Sequence, residues 1–228
     1  MKIIDAHTHI DYITCNFQPD VVGVVCCATM ESDWKRIVDI CNKDKRVYGA
    51  FGVHPWFIYT AEKDFYKRLT KLLEINPCYM VGEIGLDKYK PNMDEQIEFF
   101  VKQFNIAINL KRIVCLHCVG AWDKILHILK QYKQSELPII IVHGFDENED
   151  VLEKLLRYKN IYFSVGKNAV CDRNNRIDKI PLNRIMVETD AKSDFLLNDI
   201  VVKISEIKND ENVPDIIYNN TSKVLNNE

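Results

Sequence analysis

The chain has 228 residues, 47% of them hydrophobic, which suits one large domain or two small ones and supplies ample material for a core. A formal net charge of −3 excludes the broad basic field on which non-specific nucleic-acid binding draws, but not a phosphate held locally by metal. No apolar run approaches the roughly 20 residues that span a bilayer, and Met1–Asp5 turns polar too soon for a secretory leader. The expectation is a cytoplasmic chain with no membrane partner and no evident obligate protein partner.

In chain order, Ile3–Ala6 reads as a first strand. Only twelve residues, Pro19 among them, lie between His9 and Val22, too few for a full helix with its turns, so the first crossover is expected to be short and irregular. Strands follow at Val22–Ala28 and Val47–Val53, with a helix over Asp33–Asn42 between them and another over Glu62–Ile75 after them. After a strand at Tyr79–Gly82, Asp94–Leu110 carries Ile97, Phe100, Val101, Phe104, Ala107 and Ile108 on one helical stripe. Asn92 and Glu95 are spaced to cap that helix. Strands at Ile113–His117, Ile139–His143, Ile161–Val165 and Ile185–Glu188 alternate with helices over Trp122–Gln134, Asn148–Tyr158 and Asn198–Lys208. The polar stretch from Cys171 to Asn183 has room for a short helical turn only, and Asn226–Glu228 reads as a frayed tail.

Runs such as Val21-Val22-Gly23-Val24-Val25 and Pro138-Ile139-Ile140-Ile141-Val142 are continuous rather than alternating. Continuity marks strands covered on both faces, as in a parallel sheet. Eight such strands alternating with helices, without a Gly/Pro-rich linker, predict an α/β fold: a single (β/α)8 TIM-type barrel over residues 1–228 with a shortened first crossover. The eight cysteines form no paired knuckles and read mostly as small buried apolar residues in a reducing compartment. Trp34 and Trp122 fit either a surface interface or a packed helix face.

Five of the six histidines follow strand-like runs: His7, His9, His54, His117 and His143. Glu83 and Asp190 hold the same position after theirs. In a parallel barrel the loops after the strands gather at one mouth, so these seven groups are expected to converge there. Asp5, His7 and His9 alternate and are expected to share the face turned to the barrel interior. Imidazoles and carboxylates in such a set suit one or two divalent ions, and the mixture does not choose among Zn, Mn and Mg. His127 is the contrast, an ordinary helix residue beside Lys124, Lys130 and Lys133.

The motifs resemble those of the TatD family of metal-dependent hydrolases, within the amidohydrolase-like barrels. The matching pieces are Asp5-Ala6-His7-Thr8-His9-Ile10-Asp11; Phe51-Gly52-Val53-His54-Pro55; Val81-Gly82-Glu83-Ile84-Gly85-Leu86-Asp87; Gln96, Phe100, Gln103 and Ala107; Leu116-His117; His143-Gly144-Phe145; Ile180-Pro181-Leu182; and Glu188-Thr189-Asp190, with Asn220 closing the pattern. The resemblance implies metal ligation by His7, His9, Glu83, His117, His143 and Asp190. It divides them as His7 and His9 on one ion, His117 and His143 on the other, Glu83 bridging, and Asp190 holding the first ion and orienting a metal-activated water. It implies catalytic roles for Glu83 and Asp190. His54 would contact the substrate, at a phosphate oxygen or leaving group, or else be a loop histidine anchored beside Pro55. Asp87 would contact groups at the rim or serve the structure. Asp5 and Glu188 would orient ligands, and Trp56 and Phe57 would stack a base or simply pack.

Two departures bear on the substrate. Where the family commonly has a polar residue and then an arginine after its histidine, this chain has Cys118-Val119, and a bidentate phosphate clamp is missing. After Asp190 stand Ala191-Lys192 instead of a small residue and proline, and Lys192 could restore some positive charge. The expected function is a phosphodiesterase or deoxyribonuclease acting on DNA ends or a small phosphoester. The alternatives are a hydrolase of another small substrate (a carboxylic ester, lactone or amide) and a metal-holding protein without turnover.

Overall fold

The structure is a computed structural model that describes residues 1–9, 17, 19–171, 176–190 and 196–226. Eight strands close into a barrel in sequence order: β1 Ile3–His9, β2 Val21–Cys27, β3 Val47–Phe51, β4 Met80–Asp87, β5 Val114–Val119, β6 Ile140–Val142, β7 Ile161–Val165 and β8 Ile185–Val187. Every ladder is parallel, and Asp5 beside Val187 makes the closing pair of β1 and β8. All eight expected strands are present, and the fold is the TIM-type barrel. The expected short first crossover falls mainly on residues 10–16 and 18, outside the described residues.

The helices are α1 Trp34–Lys43, α2 Phe65–Ile75, α3 Met93–Leu110, α4 Trp122–Leu129, α5 Glu149–Leu156, α6 Lys167–Cys171, α7 Leu197–Lys208 and α8 Val213–Asn226. Each of the longer ones buries one stripe. Trp34, Ile37 and Cys41 do so in α1, and Phe65, Leu69 and Leu73 in α2. Helix α3 buries Phe100, Phe104 and Ala107, and with them two glutamines, Gln96 and Gln103. Trp34 and Trp122 are both buried, so the packed-face reading of the two tryptophans is the one realised.

Four details differ from the sequence expectations. Asn92 takes a left-handed backbone (φ 62°) and makes no side-chain cap, so the Asn92–Glu95 capping arrangement is not formed. Helix α4 ends at Leu129, short of Gln134. Helix α8 was not expected. It buries Val213, Ile217, Thr221 and Val224, at near-helical spacing, with Pro214 in its first turn where a missing N–H costs nothing. Finally, four residues of β1 (Asp5 to Thr8) oppose three of β2 (Val24 to Cys26), a bulge that interrupts the alternation of Asp5, His7 and His9. Ile4 and Ala6 join Val25, Cys27, Ala50, Met80, Cys115, Ile141 and Met186 in one cluster drawn from nearly every strand, which places them in the barrel interior. A bulge re-aims the residues that follow it, and past this one His7 reaches toward Glu83.

Candidate active site

The predicted residues come together at the mouth formed by the C-terminal ends of the strands. Glu83, on β4, is buried at its centre. Its Oε2 lies 3.4 Å from His7 Nε2 and 3.5 Å from His9 Nε2. Its Oε1 lies 2.9 Å from His117 Nδ1, 2.8 Å from His143 Nε2 and 3.2 Å from His54 Nε2. Asp190, just after β8, presents Oδ1 3.6 Å from His7 Nε2 and 3.7 Å from His9 Nε2. The seven groups named from strand ends therefore meet in one cluster with Glu83 at its centre. His127, in α4, is exposed on the outer helix layer.

Local sequence explains the placement. Gly85 lets β4 lie against β5, because a Cβ there would stand 1.8 Å from the carbonyl oxygen of His117. Helix α3 fastens two strand ends. Gln103 accepts from the Val53 N–H (2.7 Å) and donates to the Val53 carbonyl (3.1 Å), fixing the backbone next to His54. Gln96 does the same at Asp87, accepting at 2.8 Å and donating at 3.1 Å. Asp5 accepts from the Thr189 hydroxyl at 2.7 Å and from the Thr189 N–H at 3.1 Å, tying β1 to the segment that carries Asp190. Glu188 accepts the Gly144 N–H at 2.6 Å, beside His143.

The electrostatics follow from burial and crowding. Burial alone would push the Glu83 carboxyl up, but the imidazoles of His143, His54 and His7 overrule it and hold it well below the usual carboxylate range. Burial drives His7 down to about 4 and lowers His54. His143 is held well above the usual range in spite of its burial, because Glu83 and Glu188 face it. Asp87 sits at about 2 under the influence of His117, Tyr89 and Trp56. The His117 Nε2 to Asp87 separation of 3.8 Å is too long for a hydrogen bond. The short bonds to Asp87 are those from the Trp56 indole (2.6 Å) and the Tyr89 N–H (2.8 Å). Asp87 is thus buried and bonded within the wall of the site.

The first set of donors is spaced for a metal ion rather than for hydrogen bonds. His7, His9, Glu83 and Asp190 have five separations of 3.4–3.7 Å, all longer than the roughly 2.7–3.2 Å of ordinary hydrogen bonds. Four ligands set tetrahedrally about 2.1 Å from a shared centre stand about 3.4 Å apart, so the spacing matches a first cation. His117 Nδ1, His143 Nε2 and Glu83 Oε1 lie 2.8–3.0 Å from one another and form a second set. His117 Nε2 and His143 Nδ1 are buried without hydrogen-bond partners, and each ring turns its other nitrogen to Glu83. His54 differs. Its Nδ1 accepts the Trp56 N–H at 3.1 Å, so in the neutral ring Nε2 keeps its proton and points a donor, not a lone pair, at Glu83.

Sequence reasoning missed one partner here. Cys27 Sγ lies 3.3 Å from His7 Nδ1, on the far side of that ring from Glu83. Carboxylates or carbonyls usually occupy such a place, and nothing in the spacing of Cys27 signals it. Cys26, Cys27, Cys41, Cys115 and Cys118 are buried, as expected of most of the cysteines, while Cys78 and Cys171 are exposed. Cys15 and Lys192 lie outside the described residues.

A parallel barrel with imidazoles and carboxylates gathered at its C-terminal mouth is the architecture of a metal-dependent hydrolase. A family model for TatD related DNase matches residues 4–226. The human 3'-5' RNA nuclease TATDN2 is 34% identical over 216 residues, covering 82% of this chain and 28% of the human protein. The Escherichia coli K12 3'-5' ssDNA/RNA exonuclease TatD is 25% identical over 214 residues, covering 88% of this chain and 78% of that protein. Among solved structures, the TatD homologue YjjV of Escherichia coli shares the fold with a TM-score of 0.85 at 23% identity, covering 98% of this chain and 97% of that one. The chain belongs to the TatD family of metal-dependent hydrolases. Among the described residues, no helix is long and apolar enough to cross a membrane.

Proposed function

We propose that this protein is a two-metal phosphodiesterase that trims single-stranded nucleic acid from its 3' end. The observation that carries this reading is Glu83, whose two oxygens face two separate donor sets. His7, His9, Glu83 and Asp190 would hold one ion, and Glu83, His117 and His143 the other. Four imidazoles among six ligands favour Zn or Mn over Mg, which prefers oxygen. Bound there, the ions would supply Lewis-acid stabilisation of phosphate oxygens and a water made nucleophilic at neutral pH.

The chain's own residues do the rest. Asp190, half exposed at the mouth, accepts the proton of the attacking water. His54 donates through Nε2 to a substrate oxygen. Glu188, Asp5 and Cys27 hold the ligand side chains and their strands in place. The relatives named as 3'-5' nucleases support the polarity and the substrate class. The test is metal-reconstituted protein offered single-stranded DNA and RNA labelled at either end, alongside carboxylic esters and lactones. Stepwise shortening from the 3' end is expected. Turnover of esters or lactones with every oligonucleotide left intact would overturn the reading.

A further inference from the structure

The departure at Val119 leaves the mouth without the expected arginine, and the neighbouring loop fills that place with other chemistry. Val119 pairs with Asp87 across the β4–β5 ladder, and its carbonyl accepts the Lys88 N–H at 2.9 Å. Two residues on, Lys90 sets its ammonium 4.1 Å from the ring centroid of Trp56. Trp56 is 44% exposed although it lies beside the donors, with its ring centroid 5.2 Å from that of His54 and 6.3 Å from that of His117. The residue is held by two hydrogen bonds, one at its backbone and one at its ring. Its backbone N–H donates to His54 Nδ1 and its indole N–H to Asp87 Oδ2. A rigid, exposed aromatic carrying a cation, one ring away from the metal ligands, has the features of a nucleotide-binding platform.

We infer that Trp56 and Lys90 form the subsite for the nucleotide next to the cleaved bond, with the base stacked on Trp56 and Lys90 on the adjoining phosphate. This rests on the nuclease reading and adds to it a subsite that requires a free base, so that a strand bearing bases is preferred to a baseless phosphoester. Lys90 would also replace, from β4's loop, the positive charge that β5 lacks at Val119. As Trp56 also holds Asp87, the test separates stacking from support.

Metal-loaded wild type, Trp56→Ala and Trp56→Phe are compared on an ordinary single strand and on one whose last two 3' nucleotides are abasic. On the ordinary strand Trp56→Ala raises KM roughly tenfold, the scale of one base stack, while Trp56→Phe keeps a stacking face and changes it much less. On the abasic strand wild type shows the same raised KM and Trp56→Ala adds nothing. Lys90→Ala lowers the slope of log KM against log salt by about 0.7, the share of one single-strand phosphate contact. A KM that Trp56→Ala leaves unchanged, or raises equally on both strands, overturns the platform, and an unchanged salt slope removes Lys90 from it. If wild type cleaves no oligonucleotide, the nuclease reading fails by itself. Anisotropy binding of the same two strands then decides the platform, which stands only if wild type prefers the base-bearing strand and Trp56→Ala does not.

Discussion

His54 Nδ1 accepts the backbone N–H of Trp56 at 3.1 Å, and this single bond sets what the other end of the ring can do. With Nδ1 occupied as an acceptor, Nε2 bears the proton and faces Glu83 Oε1 at 3.2 Å as a donor. A metal ligand needs a lone pair there, so His54 stands next to the donor sets without joining them. His54→Ala should therefore keep the metal content of wild type while kcat/KM falls about 10²–10³-fold, the loss usual for a donor to developing charge. Elemental analysis alongside steady-state kinetics checks this, and co-loss of metal and activity would make His54 a ligand instead.

His117→Ala is the converse case. It removes a donor from the second set and leaves Glu83 Oε1 with fewer partners. Metal stoichiometry should drop together with turnover, on every substrate cleaved by the wild type. Retained turnover with a full metal complement would contradict the site.

Chelation should destabilise the folded protein, because the donor sets exist only in the fold. At a free metal concentration one hundred times Kd, each ion contributes about 2.7 kcal/mol. For a chain of this size that corresponds to roughly 5–10 °C in Tm. Thermal melts with EDTA and with added Zn or Mn measure it. Identical melting curves in both would argue that the donors hold no ion.

Strands were the legible part of this chain, for a physical reason. A strand buried on both faces must be a continuous apolar run, and the donors must follow it directly because they work at the mouth. Helix α8 was less legible. Its stripe of Val213, Ile217 and Val224 is broken by Asn219, Asn220 and Pro214, and polar residues read as loop until Asn220 is seen to be buried. The bulge in β1 has no local signature at all, since it is a count of residues against a partner strand. Asp87 shows contacts that no spacing announces. Its backbone N–H and carbonyl are taken by Gln96 and its carboxylate by Trp56 and Tyr89, a set of contacts from three separate elements.

Thiol reactivity should follow burial. Burial pushes the Cys41 thiol up to about 11, so only a trace of reactive thiolate exists at pH 8. Cys78 and Cys171 are exposed and should alkylate first, with Cys41 and the interior Cys26, Cys27 and Cys115 protected until the protein unfolds. Mass mapping after brief iodoacetamide treatment at pH 8 reads the order. Early modification of Cys27 would place His7 and its neighbours in a far more open barrel.

Asn220 explains why α8 matters to the site. Its Nδ2 donates at 2.8 Å to both the Leu182 and Ile185 carbonyls, clamping the helix to the entry of β8. That strand runs directly into Glu188 and Asp190. Asn220→Ala strands two carbonyls near the core, at a cost of about 1–3 kcal/mol. Asn220→Asp should cost more, since it sets an acceptor against acceptors and buries a charge. Urea unfolding measures both. If Asn220→Asp proved as stable as wild type, the clamp would have to be formed by some other donor.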